Sequence, residues 1–268
     1  MKYSKRILLF ITVIFLFSGC HQPVKEKIED ADLTIYCENG ILGPIKEIAD
    51  QYEENSGLNI EIQNDCARNL VSMVHYRNEA DVFIPDTRHT IDNIASLEKN
   101  FFSDSVFLGY QSLMFFVPKE NPENFDGKLQ SLLNPSNGIV LANPESSTLG
   151  MVTGITLKQH NLYDQVMNSV LFFTTDSRGL IRSIATNQAS VAMGWKSDPY
   201  LIDPFMAIDT IHIHGLSPEK RFHKAIAVIP EKAPNKEEAR KFLKILTSGN
   251  ATSIFKKYGI FKDPVNEI

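Results

Sequence analysis

LTIYCENGILGPIKEIADQYEE, from Leu33 to Glu54, changes its apolar period partway along. Leu33, Ile35 and Cys37 alternate with Thr34 and Tyr36, as a buried strand does. After Glu38-Asn39-Gly40, the apolar residues Ile41, Ile45, Ile48, Ala49 and Tyr52 recur at the spacing of one helix face. Pro44 falls in the first turn, where its missing N–H is not needed, and Gly57 lies just past the end. A strand, a tight turn and a helix leave the free N–H groups of the helix start at the strand's carboxyl edge. There they can hold an anion without any charged side chain.

The pattern repeats downstream. Leu58–Ile62 alternates as a second strand, followed by the polar loop Gln63–Arg68 and a helix with Leu70, Val71 and Val74 on one side. Ala80–Ile84 (ADVFI) reads as a third strand, and Pro85-Asp86-Thr87 leads into a helix through Ile91 and Ile94. Three strand-then-helix units predict a parallel sheet covered on both faces, with loops converging at one edge, where such sheets hold ligands. Ser112–Val117, closed by Pro118, is expected to cross into a second lobe. In it Gly138–Ala142, Val170–Phe173 and Ser190–Trp195 read as strands, while Met151–His160, Tyr163–Ser169 and the segment through Leu180, Ile181 and Ile184 read as helices. Ala225–Pro230 returns to the first lobe, and helices Asn235–Leu246 and Asn250–Tyr258 follow, each opened by an Asn cap. The expected fold class is α/β: two doubly wound α/β lobes with a hinge and an interlobe cleft. Lobe 1 comprises 31–110 plus 222–268, and lobe 2 comprises 111–221. Clefts between lobes close on ligands by hinge motion.

The first residues carry Lys2, Lys5 and Arg6, then an apolar run from Ile7 to Phe17, then Ser18-Gly19-Cys20. The run is short for a membrane span, and small residues ahead of a cysteine mark a processing site. Residues 1–19 therefore read as a lipoprotein signal peptide, Cys20 as the lipidated residue and 20–32 as a polar tether. The protein is then exported and held on a lipid bilayer, at the cell membrane or the periplasmic face of an envelope membrane. A signal anchor, or an ordinary cleaved signal with a chance cysteine, is the alternative. The roughly 240 residues beyond are enough for two cores. A net charge of −5, with no Lys/Arg cluster interleaved with aromatics, gives nucleic-acid binding no support. A monomer with no cofactor is expected.

Five stretches, in order, carry a resemblance: LTIYCENGILGPIKEIADQYEENSG (33–57), EADVFI (79–84), ANPESSTLG (142–150), TTDSRGLIRSIATNQASVAMGWKSDP (174–199) and ATSIFKKYGI (251–260). Together the chain resembles the molybdate-binding proteins of ABC importers, members of the two-lobed type II class of periplasmic solute-binding proteins. The resemblance implies a membrane-anchored solute-binding component of an ABC importer, not an enzyme, that captures a small molybdate- or tungstate-like oxyanion and works with an ABC permease. Family members hold the oxyanion with neutral donors: two hydroxyl side chains from the first lobe, backbone N–H groups from two second-lobe loops, and an aromatic hydroxyl. Carried over, the first hydroxyl position falls at Gly40 and the second at Cys66 or Ala67. The backbone donors fall at Leu149 and Ser177, and the tyrosine position at Trp195.

Both first-lobe serines and the tyrosine hydroxyl are thus replaced, so nearby donors must substitute: Asn39, Asn69 and the indole N–H of Trp195, with Arg68 a further candidate. Arg68 in the cleft would favour a carboxylate, phosphate or sulfate that takes a bidentate guanidinium. Ser146, Ser147 and Thr148 also suit plain helix capping. Cys37 and Cys66 end adjacent strands at one edge. They can be small buried thiols, a disulfide, or soft ligands for a metal species. A secreted enzyme built on one of these thiols and His75 is a competing reading of another class. His212 and His214 share a strand face, but surface placement is the expectation for both.

Overall fold

The structure, a computed structural model, describes residues 31–201 and 208–263. The signal peptide, Cys20 and all but the last two residues of the tether lie outside them. The first lobe opens with β1 (Leu33–Glu38), a 3-10 turn (Asn39–Ile41) and α1 (Leu42–Ser56), and Gly57 ends the helix in the left-handed region at φ 72°. β2 (Ile60–Asp65), α2 (Ala67–Tyr76), β3 (Val82–Ile84) and α3 (Arg88–Leu97) follow. β1 lies between β2 and β3, parallel to both, with Cys37 opposite Asn64 and Ile84. Its alternation works as the sequence predicts. Leu33, Ile35 and Cys37 pack into a core with α1, while Tyr36 enters a separate core against Leu70, Val74, Ile91 and Ile94 on the other face.

β4 (Phe102–Pro118) is far longer than the strand expected at 112–117. Ser103, Asp104 and Ser105 look like a loop in isolation, yet β9 (Phe222–Pro230) runs antiparallel beside them from Pro230 back to Phe222, which faces Ser112. From Leu113 onward β4 pairs instead with β7 (Val191–Trp195) and, on its other side, β8 (Ile208–His212). β5 (Ile139–Ala142) lies parallel to both β7 and β6 (Val170–Thr174). Strand order is thus β2-β1-β3-β9-β4-β7-β5-β6, with β4 shared by both lobes. The second lobe has its own core, around Phe115, Leu141, Ile181 and Met193. Its helices are α4 (Thr148–Gln159), α5 (Tyr163–Ser169) and α6 (Ser177–Ala185), and the short α7 (Pro218–Arg221) leads directly into β9 and packs against it.

α8 (Lys236–Leu246) and α9 (Gly249–Lys257) pack on the first lobe, through Phe242, Leu246 and Phe255. Neither is capped by an Asn side chain. Asn235 is drawn off by Asp81, whose Oδ1 accepts its N–H at 2.6 Å, and Ser248 caps α9 by accepting from Ala251 at 3.1 Å. α4 likewise starts three residues ahead of the expected Met151, because the Ser147 hydroxyl accepts from Gly150 N–H at 2.9 Å.

Candidate functional site

Three strands each deliver an acidic residue to the line where the lobes meet. Glu38 is the last residue of β1, Asp86 follows β3, and Asp198 follows β7; all three are almost fully buried. Each stands at a carboxyl end, where the helix starts supply donors.

Glu38 reaches from the first lobe to the second. Its Oε1 accepts from Thr148 N–H, the first residue of α4, at 2.9 Å, and its Oε2 accepts from Asp86 N–H at 2.9 Å. The N–H of Ala67, first residue of α2, and the Thr148 hydroxyl also donate to it. The Thr90 and Thr148 hydroxyls meet at 2.6 Å, so one chain of hydroxyls ties α3 to α4. Asp86 accepts from the Trp195 indole N–H at 2.9 Å and from Gly40 N–H. Asp198 accepts from Trp195 backbone N–H at 2.7 Å and from the Ser177 hydroxyl. Further bonds close the boundary: Arg68 N–H donates to Ser146 carbonyl at 3.0 Å, and Ser197 hydroxyl donates to Gly40 carbonyl at 2.5 Å.

Every partner named for the three carboxyls is a neutral donor, and they repel one another. Burial foremost, offset partly by these bonds, raises Glu38. Burial and then the charges of Glu38 and Asp198 lift Asp86 well above the usual carboxylate range, and burial pushes Asp198 up to about 7. Among the described residues, Asp86 Oδ1 and Asp198 Oδ1 are buried with no hydrogen-bond partner. His223 packs edge-on to Trp195 with ring centroids 5.5 Å apart, but burial, with His89 nearby, lowers it to about 4. It is therefore neutral at pH 7 and supplies no compensating charge.

The residues singled out from sequence divide into two groups. Gly40, Ala67, Ser177 and Trp195 come together at this boundary, and Leu149 is buried in the first turn of α4 beside Thr148. The donors of Gly40, Ala67 and Trp195 and the hydroxyl of Ser177 all face the protein's own carboxyls. A Cβ on Gly40 would lie 2.4 Å from Trp195 Cδ1 and 2.9 Å from both Asp86 oxygens, so this position has no room for a side chain here. Asn39 is buried in the 3-10 turn next door. Cys66 precedes α2 with its N–H on Asp65 Oδ1 at 2.7 Å.

The other group falls outside. Asn69 bonds Asp65 at 3.0 Å on the exposed side of α2. Arg68 is outside only in part: its backbone N–H bonds across the boundary, while its exposed side chain lines a cavity of about 300 Å³ at the mouth of that boundary, shared with Ala67, Thr90, Thr148 and Met151. Cys37 and Cys66 are free thiols rather than a disulfide, and burial raises both, Cys37 most strongly. A raised thiol is a poor nucleophile. His75 stacks on Phe101 and pairs with Glu98 at 3.6 Å, away from either thiol's hydrogen bonds. His212 and His214 are exposed.

Sequence reasoning missed Glu38, Asp86 and Asp198 as site residues. The available signal was a charged residue at the carboxyl end of three apolar strands, a place where burial is expected.

The family model for bacterial extracellular solute-binding proteins matches residues 33–261. YvgL of Bacillus subtilis strain 168, assigned as an ABC transporter substrate-binding lipoprotein, is 24% identical over 264 residues, covering 96% of this chain and 97% of the relative. The Azotobacter vinelandii periplasmic molybdate-binding protein superposes with a TM-score of 0.71 at 15% identity, covering 85% of this chain and 98% of that one. A periplasmic thiamin-binding protein superposes with a TM-score of 0.70 at 13% identity, covering 86% and 82%. The two-lobed architecture is common to these structures, and among the described residues no helix is long and apolar enough to cross a membrane. The chain belongs to the bacterial extracellular solute-binding protein family and is a solute-binding protein, not an enzyme.

Proposed function

We propose that this chain is the receptor of an ABC importer, tethered as a monomer by a lipid on Cys20. Its lobes, 31–110 with 222–268 and 111–221, close over a small solute and present it to the permease. The assignment of the Bacillus subtilis relative as a lipoprotein supports the tether. The ligand class follows from charge. Glu38, Asp86 and Asp198 meet at the lobe boundary with only neutral donors around them, and two of them keep an oxygen without a partner. This observation carries the reading. A small organic cation, or a solute rich in N–H donors, completes such a site. A free dianion would add charge to it at a large desolvation cost. The fold itself does not choose, since its neighbours include molybdate- and thiamin-binding proteins, and thiamin is a cation.

An oxyanion is the second reading, favoured by the N–H groups of Ala67, Asp86 and Thr148, which converge on one carboxyl. It requires Glu38 to withdraw. Thermal shift of the full-length protein in detergent separates the two readings, because a ligand at about 100 times its dissociation constant adds about 2.7 kcal/mol. The expected result is stabilisation by one or more probes from a cation set (thiamin, choline, polyamines, basic amino acids) and none by molybdate, tungstate, sulfate or phosphate. Stabilisation by the oxyanions alone would reverse the charge assignment, and silence in both sets would count against the cleft as the solute site.

A further inference from the structure

Glu38 is an unusual end for a strand whose neighbours Leu33, Ile35 and Cys37 are all in the core, and its side chain is 1% exposed. What it finds there explains its burial. α2 and α4 belong to different lobes and run 10 and 12 residues, and the first N–H of each points at the Glu38 carboxyl. The loop N–H of Asp86 and the Thr148 hydroxyl complete the shell. Two helix starts aimed at one buried group, with a backbone N–H between them, form a site for a small anion. Here the anion is part of the chain. Held on β1, it competes with any dissolved anion at an effective concentration on the order of millimolar or higher.

We propose that Glu38 is the resident anion of the lobe boundary, a specificity-determining side chain that fills from within the position a small free anion would take. The inference rests on the boundary being the solute site. On this inference, the charge preference of the helix-start donors is met before any solute arrives, which sets them against a free oxyanion. It also assigns discrimination to one residue, since removing that carboxyl leaves the donors in place with nothing to receive them.

The test is Glu38→Ala in the full-length protein, followed by thermal unfolding in formate, acetate, sulfate and molybdate against chloride at matched ionic strength. Formate replaces the deleted carboxyl most closely. The expected result is a lower midpoint for Glu38→Ala and a saturable recovery of roughly 2–4 °C with formate or a tetrahedral oxyanion, absent from the wild type. Adding Thr148→Pro should abolish the recovery. Proline at the first helical position removes the N–H while sparing the helix, and Ser147 is already extended (φ −127°, ψ 148°), as a residue before proline must be. A folded Glu38→Ala protein that responds equally to formate and chloride overturns the proposal, as does a wild type that responds to formate like the variant. Should Glu38→Ala not fold, Glu38→Gln replaces it. The amide can keep one acceptor but not the charge, so a midpoint equal to wild type would overturn the proposal. Response of the wild type to the cation set remains a separate readout, so failure of the receptor reading is distinguishable from failure of this one.

Discussion

Asp198 holds its proton more tightly folded than unfolded, because burial lifts it from 3.8 to about 7 and the charges of Glu38 and Asp176 push the same way. The stability linked to this proton is present in full below about pH 4 and falls as pH rises to about 7, since the unfolded chain releases the proton first. Glu38 and Asp86, also raised, add to the same slope. Buried His223, lowered from 6.5 to about 4, works against them over the same window, so the reading is the difference between proteins: with Asp198→Asn the midpoint should fall less, or rise more, with pH than in the wild type. Calorimetry at several pH values reads it; an unchanged slope in the variant would remove Asp198 from the account. Trp195 shows what a residue-level reading can and cannot reach. Its place at the boundary follows from the motif around it. That its indole N–H serves Asp86, 109 residues away in sequence, could not be read from any local pattern.

At the scale of elements, periodicity was a good guide wherever one face is apolar. β1 and α1 came directly from the spacing of Leu33, Ile35 and Cys37 and of Ile41, Ile45 and Ile48, and the parallel direction of the first three strands from the repeat of the strand-then-helix unit; that β1 lies between β2 and β3 did not. The first ten residues of β4 did not, because that strand is half polar and is held in place by β9, a partner more than a hundred residues away. The start of α4 was set by Ser147, a single cap that periodicity does not register. That start also lies very close to β5. A Cβ on Gly150 would stand 2.4 Å from the Asn143 carbonyl group and 2.6 Å from Ala142 oxygen, all backbone atoms that cannot turn aside. Gly150→Ala should destabilise the protein by about 1–3 kcal/mol in chemical denaturation and pull Thr148 away from Glu38. A loss within a few tenths of a kcal/mol would mean that α4 shifts freely on the sheet.

For the whole molecule, the sequence led to two lobes and a boundary rich in helix starts, and the structure has both. What stayed hidden was the trio of carboxyls placed there, because it depends on which side chains of one lobe meet the donors of the other. Gly40 makes the point in reverse. Restoring the hydroxyl that the family resemblance places there, Gly40→Ser, puts a side chain where Trp195 and Asp86 already stand. The lobes should then be unable to meet as they do here, and small-angle scattering should report a larger radius of gyration than for the wild type. An identical scattering curve would show that the Trp195 side of the boundary yields.

β4 passes from partner β9 to partner β7 between Ser112 and Leu113 with no loop between them. The two halves are therefore leaves of one ribbon rather than beads on a string. Parting them bends a laced strand, as one flexes a spring. Any gape between the leaves therefore has to be taken up by bowing of that shared strand.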